Sequence, residues 1–213
     1  MELRDYQKKA LKYYLNRKTS SLLVLATGKG KSILSLEIIK DHLVNNKGNI
    51  LILCPTQIIR QQLFNLYKRS INATILDNPQ TRKDRKDETR VFLCCYPTYQ
   101  ILSREQPSFV LSVSLIIIDE VHKLTKNTKV GMLLRSLSES SKVIKIGLTA
   151  TPGPKKNTNS ILSVLSCSSE DIYEDLVPLY EKRDSIVQIK PSSWRIILIN
   201  LLKDDITEQF CKR

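Results

Sequence analysis

A chain of 213 residues that is 41% hydrophobic and 26% charged carries enough apolar surface for one large or two small folded domains, which excludes a disordered polymer. Its five cysteines (Cys54, Cys94, Cys95, Cys167, Cys211) are odd in number and include no C-x-x-C pair, which argues against a zinc site or a disulfide framework; no apolar run approaches the roughly 18 residues of a membrane span. The formal charge of +13 is confined to one part, since residues 1–153 hold 25 Lys and Arg against 12 Asp and Glu, while residues 154–213 hold nine of each. All six glycines lie in the first part too. The chain is therefore expected to be soluble and intracellular, with a basic domain over 1–153 and a different, neutral segment over 154–213. The localised positive field favours a polyanionic partner, although a solvated basic surface is the plainer reading.

The first element, LRDYQKKAL, reads as the start of an amphipathic helix. The apolar run at 22–25 is strand-like and breaks into T-G-K-G-K-S, after which SILSLEIIKDHLV places apolar residues at the helical period. Further strands are expected at 50–54, 91–95, 115–118 and 143–147, each short and bounded by turn or polar residues. QIIRQQLFNLYKRS again has helical spacing, whereas the highly charged 78–90 has no apolar period and is expected to be an exposed loop or short helix. Continuous apolar strands alternating with helices imply an α/β fold with a parallel sheet covered on both faces. Beyond 153, SILSVLS and EDLVPLYEKR look helical, SIVQIK strand-like and WRIILINLL apolar, with Trp194 a core or interface anchor.

Two motifs carry chemistry. In LLVLATGKGKS, a strand, a glycine turn and a helix starting at Lys31 or Ser32 would aim backbone N–H groups and the helix dipole at one point, which suits a phosphate chain. Lys31 would reach the β and γ phosphates, and the Ser32 hydroxyl would join a magnesium shell. Leu25 stands where the strict G-x-x-x-x-G-K-[ST] pattern has its first glycine, so an ordinary glycine-containing turn is the competing reading. In LIIIDEVHKL, two adjacent carboxylates follow a buried strand, which is costly unless they emerge at its carboxyl end, where ligands of open parallel sheets bind. Asp119 is then placed to hold magnesium and Glu120 to orient and polarise water, against the plainer role of a helix N-cap. His122 is placed to sense the nucleotide state, against the plainer role of a surface residue.

Taken in order and approximate spacing, LRDYQ, ATGKGKS, CPTQIIRQQ, PTYQIL, IIIDEVH and IGLTATP resemble the N-terminal RecA-like motor domain of superfamily 2 helicases and translocases, of the DExH group, over about residues 3–153. That resemblance implies a P-loop domain that binds ATP with Mg2+ and grips a nucleic-acid backbone, with DNA slightly favoured over RNA. By position it implies adenine-side contacts from Gln7 supported by Arg4, phosphate-loop roles for Thr27, Gly28, Lys29, Gly30, Lys31 and Ser32, magnesium at Ser32 and Asp119, and catalysis by Lys31 and Glu120. Pro55, Thr56 and Gln57 resemble a first strand-contacting motif and Thr98, Tyr99 and Gln100 a second, with turn and capping chemistry as the alternative. Thr149, Ala150 and Thr151, together with His122, resemble the machinery that couples hydrolysis to strand movement.

The region after 153 resembles the Hef, FANCM and Dicer groups, with XPB-type helicases and restriction-enzyme motor subunits as further relatives. No Q-x-x-G-R-x-x-R-like motif is found in the sequence. The expectation is therefore a half-motor that hydrolyses ATP poorly alone and works with a second RecA-like lobe, in a longer chain or in trans. A catalytically silent nucleic-acid-binding regulator and a P-loop ATPase acting on protein are the alternatives.

Overall fold

Residues 3–77, 89–140 and 142–176 are described by the computed structural model, the side chains of 138–140 apart. The apolar runs become strands β1 (Ser21–Leu25), β2 (Asn49–Cys54), β3 (Ala73–Ile75), β4 (Val91–Cys95), β5 (Val113–Asp119), β6 (Ile144–Thr149) and β7 (Ile172–Asp175). Around them lie helices α1 (Asp5–Arg17), α2 (Lys31–Asn45), α3 (Gln57–Tyr67), α4 (Tyr96–Glu105), α5 (Pro107–Leu111), α6 (Lys129–Ser140) and α7 (Lys155–Leu165). The seven strands form one sheet in the order β3-β4-β2-β5-β6-β1-β7, every neighbouring pair parallel.

The strands are apolar at consecutive positions because each face of the sheet has its own cover. Leu22, Val24, Leu51, Leu53, Ile116 and Ile118 turn one way, onto Tyr99 and Leu102 of α4, Leu134 of α6 and Val164 of α7. Leu23, Leu25, Ile50, Ile52, Leu115 and Ile117 turn the other way, onto Tyr14 of α1, Ile38 of α2 and Tyr67 of α3. The two sets alternate along each strand, as the two-residue period of a pleat requires. Each such side chain, fully buried, contributes about 1.5–3 kcal/mol.

Helices on one face carry the chain from β1 outward to β3, and helices on the other carry it from β4 back across to β7. That reversal leaves the carboxyl ends of β1 and β5 separated by β6 alone, the place where doubly wound sheets form a ligand crevice.

The strand expected at 143–147 runs instead from Ile144 to Thr149, so Val143 precedes it and the strand carries the chain into the T-A-T segment. Past residue 153 the chain continues along the same sheet. There, α7 contributes Ile161, Leu162, Val164 and Leu165 to the core, and β7 pairs with β1 from Leu22↔Ile172 to Leu25↔Asp175. The helical reading of EDLVPLYEKR yields to this pairing at its start, because Glu174 and Asp175 complete the ladder that covers the edge of β1. The stretch from 177 on, with SIVQIK, WRIILINLL, Trp194 and Cys211, and most of 78–90 lie outside the described residues.

Candidate functional site

The break after β1 is built by glycine. Gly28 (φ 81°) and Gly30 (φ 68°) both occupy the left-handed region, and Gly30 is the residue before α2. A Cβ on Gly30 would stand 2.5 Å from Gln7 Nε2, so a side chain here would carry a strained backbone angle and push the Gln7 amide from its place on the loop. Gly30 gives α2 no side-chain cap and the first turn of the helix holds no acidic residue, which leaves a positive helix end. Gly28, Gly30, Lys31 and Ser32 meet Asp119 and Glu120 around one open cleft of about 340 Å³, with Ile59 and Gln62 of α3 forming its far wall.

The carboxylates are held by groups distant in sequence. Asp119 ends β5, and Glu120 follows it in a left-handed conformation (φ 51°) that a non-glycine residue adopts only when its surroundings enforce it. The Tyr96 hydroxyl supplies part of that enforcement, donating to Asp119 O at 2.5 Å and to Glu120 O at 3.3 Å. Burial, and then the Glu120 charge, push the Asp119 carboxyl up to about 6, with Lys31 pulling the other way. His122 lies in the 3₁₀ turn Val121–Lys123, with Nδ1 3.3 Å from Glu120 Oε2 and 2.9 Å from Thr149 Oγ1. Thr149 Oγ1 also accepts from Thr151 N–H at 3.1 Å, so one hydroxyl at the end of β6 ties the T-A-T turn to the histidine beside Glu120.

Other expected residues are placed differently. Gln7 is buried and spends its amide on the loop, donating from Nε2 to Lys29 O (3.1 Å) and Gly30 O (3.4 Å), while Oε1 accepts from Arg4 N–H (2.9 Å). The Arg4 guanidinium donates to the Tyr6 hydroxyl at 3.2 Å. Thr27 is exposed in the turn, and neither it nor Lys29 lines the cleft. The Lys29 side chain is buried and ion-paired with Asp175, while its N–H donates to Ala26 O and its carbonyl accepts from Gln7.

Pro55, Thr56 and Gln57 leave the sheet at the end of β2, and Thr98 sits in the first turn of α4 after β4; these strands are neighbours, with Cys54 opposite Cys95. The two motifs thus emerge side by side. Thr56 is the N-cap of α3 and accepts from Ile59 N–H at 3.3 Å, so the capping reading of this residue holds in the structure. Tyr99, taken with Thr98 in the sequence, is fully buried core. Ala150, between the two threonines, is half-buried in the turn after β6. Sequence reasoning missed Tyr96, Ile59, Gln62 and Asp175. The first three stand within a few residues of a recognised motif, but Asp175 has no local signal.

Comparison with known proteins agrees with this architecture. Residues 1–154 match the family model described as "Type III restriction enzyme, res subunit". The chain is 26% identical over 98% of its length to fml2 of Schizosaccharomyces pombe, named for an ATP-dependent DNA helicase, and 27% identical over 72% to a Methanocaldococcus jannaschii protein named for an ATP-dependent RNA helicase. It covers only 28% and 20% of those two relatives. The crystal structure of the Pyrococcus furiosus Hef helicase domain superposes with a TM-score of 0.69 at 26% identity, over 79% of this chain and 37% of that one. The chain therefore belongs to the family of the type III restriction enzyme res subunit, as an N-terminal RecA-like motor domain of the superfamily 2 helicases.

Proposed function

We propose that this lobe binds Mg-ATP in the β1/β5 cleft and a nucleic-acid backbone along the ends of β2 and β4, and that it serves as the first half of an ATP-driven helicase or translocase. The observation that carries the reading is the convergence of Gly28, Gly30, Lys31 and Ser32 with Asp119 and Glu120 on one cleft at the carboxyl edge of the sheet. Lys31 and the free amides at the start of α2 bind the phosphates. Glu120 orients the attacking water and accepts its proton, while His122, bridged to Thr149, fixes the carboxylate. A half-buried aspartate, its carboxyl raised by burial and then by the adjacent glutamate, with a serine hydroxyl on the same cleft, is a donor set that suits a hard divalent cation. Ser32 and Asp119 would hold magnesium, which neutralises phosphate charge when bound.

DNA is slightly favoured over RNA as the polymer. Support comes from the name of fml2, while the M. jannaschii relative's name points to RNA. A second RecA-like lobe, in a longer chain or in trans, supplies the facing arginines, consistent with the small share of its relatives that the chain covers. Hydrolysis by residues 1–213 alone is then weak and rises by orders of magnitude when that lobe is added.

Calorimetry with Mg-ATP tests the cleft. Lys31→Ala should abolish binding with the far-ultraviolet dichroism unchanged. Undiminished affinity in that variant would remove the phosphate-loop assignment.

A further inference from the structure

The lysine between the two loop glycines does not face the cleft. Lys29 is 1% exposed; its ammonium is ion-paired with Asp175, the last residue of β7, and stands 5.1 Å from the centroid of the Tyr6 ring. The same aspartate holds the loop's approach by its main chain, since Ala26 N–H donates to Asp175 O at 3.1 Å and Leu25 lies opposite Asp175 in the β1/β7 ladder. From the other side, the Gln7 amide takes the carbonyls of Lys29 and Gly30. The phosphate loop is thus clasped by α1 at its backbone and by β7 at its one buried side chain.

A buried ammonium is costly unless a counter-charge or a set of acceptors offsets it, and removing Asp175 leaves the Lys29 charge uncompensated in the interior. Swinging outward lets Lys29 recover its solvation. Its neighbours Gly28 and Gly30, both at positive φ, offer little resistance to such a movement. We propose that Asp175 is a positioning residue for the phosphate loop. By keeping the Lys29 ammonium inside, it holds the conformation in which Gly28, Gly30, Lys31 and Ser32 line the cleft, and it makes that conformation depend on β7 staying seated on β1. Strand β7 is four residues long and, among the described residues, pairs on one side only. Displacing it loosens the loop, so whatever moves β7 also sets nucleotide affinity. This consequence for affinity rests on the cleft being a nucleotide site; the effect on the loop does not.

Hydrogen exchange on the nucleotide-free chain, with Mg-ATP calorimetry beside it, separates the two. Asp175→Asn should speed exchange of the amides at 26–31 roughly tenfold while leaving β2, β4 and β5 unchanged, because the loop opens locally. It should weaken Mg-ATP binding by about the same factor, and Asp175→Glu should recover much of both effects. Unaltered loop exchange, or an equal rise in every strand, would overturn the proposal. If Asp175→Asn does not fold, the doubly neutral Lys29→Met with Asp175→Asn, which leaves no buried charge to expel, should fold with wild-type exchange at 26–31, and fast exchange there would overturn the proposal. Failure of the wild-type chain to bind Mg-ATP would sink the nucleotide reading while the exchange result still decides the role of Asp175.

Discussion

Two stretches of the sheet's carboxyl edge are organised in opposite ways. At the ends of β1, β5 and β6, the functional side chains are held by residues far away in the chain: Gln7 on the loop carbonyls, Tyr96 on the main chain of Asp119 and Glu120, and Thr149 on His122. At the ends of β2 and β4, by contrast, Thr56 is exposed and tied only within its own helix. Charge stabilisation in a reaction depends on groups fixed before the reaction begins, whereas tracking along a phosphate backbone is served by hydroxyls and amides at helix starts that need not be locked. The difference implies that the first stretch loses function through residues that never touch a ligand and that the second does not.

The largest effect separates two groups within the braced cleft. On the proposed roles, Glu120→Gln keeps every phosphate contact but removes the proton acceptor, so single-turnover ATP hydrolysis should fall by about 10²–10⁴ while Mg-ATP affinity stays within roughly threefold. Calorimetry and a quench assay on the same preparation decide it. Equal loss of binding in Glu120→Gln and Lys31→Ala would show that the two residues do not divide binding from chemistry.

A buried lysine elsewhere supplies the structural control. Lys145 on β6 is fully buried, and its ammonium donates to Leu134 O (2.9 Å), Val164 O (2.7 Å) and Ser166 Oγ (2.9 Å), joining α6 to the end of α7. Lys145→Met strands those acceptors and should cost about 1–3 kcal/mol in urea unfolding, with nucleotide affinity unchanged. Burial pushes the Lys145 amine down to about 8 from its ordinary 10.5. Between those values the unfolded chain binds more protons than the folded one, so this group makes stability rise with pH across that window. Wild type should therefore gain on Lys145→Met between pH 8 and 10.5; a flat difference would show that the ammonium titrates normally.

The coupling chain predicts a smaller loss. Thr149→Val deletes the hydroxyl shared by His122 and the Thr151 amide but keeps the shape of the side chain. Hydrolysis should drop roughly tenfold, about 1.4 kcal/mol of barrier, with Mg-ATP affinity unaltered. Turnover equal to wild type would make the contact incidental.

What could be read in the sequence follows the same division. Five of the strands, the loop glycines and the place of the Asp119–Glu120 pair were legible because they follow from neighbours within a few residues: an apolar run, a break, then a charge at a strand end. Lys29 and Lys31 look alike in G-K-G-K-S, yet one lies in the interior and the other on the cleft. The motif position marks Lys31 for the phosphates, but what holds Lys29 in the interior is Asp175, 146 residues away. The same holds for β7 itself, whose four residues form a strand because the edge of β1 is there to pair with, and for β3, three residues long, which has too little pattern of its own.

The smallest effect belongs to the unbraced stretch. Thr56→Ala removes an N-cap that accepts from Ile59 N–H, which should cost about 1 kcal/mol of stability and leave the nucleotide cleft untouched. Combined with Thr98→Ala, it deletes two neutral hydroxyls on adjacent helix starts. If these grip phosphates, single-stranded DNA and RNA should bind a few-fold more weakly whatever their sequence. The dependence of affinity on salt should not change, because that slope counts the counterions released by lysine and arginine and neither threonine releases any. Fluorescence anisotropy with two unrelated oligonucleotides, each at several salt concentrations, reads both quantities. A loss confined to one sequence would mean base recognition, and a changed slope would mean that the substitutions had moved the basic surface. Either result would end the view of this edge as a backbone track.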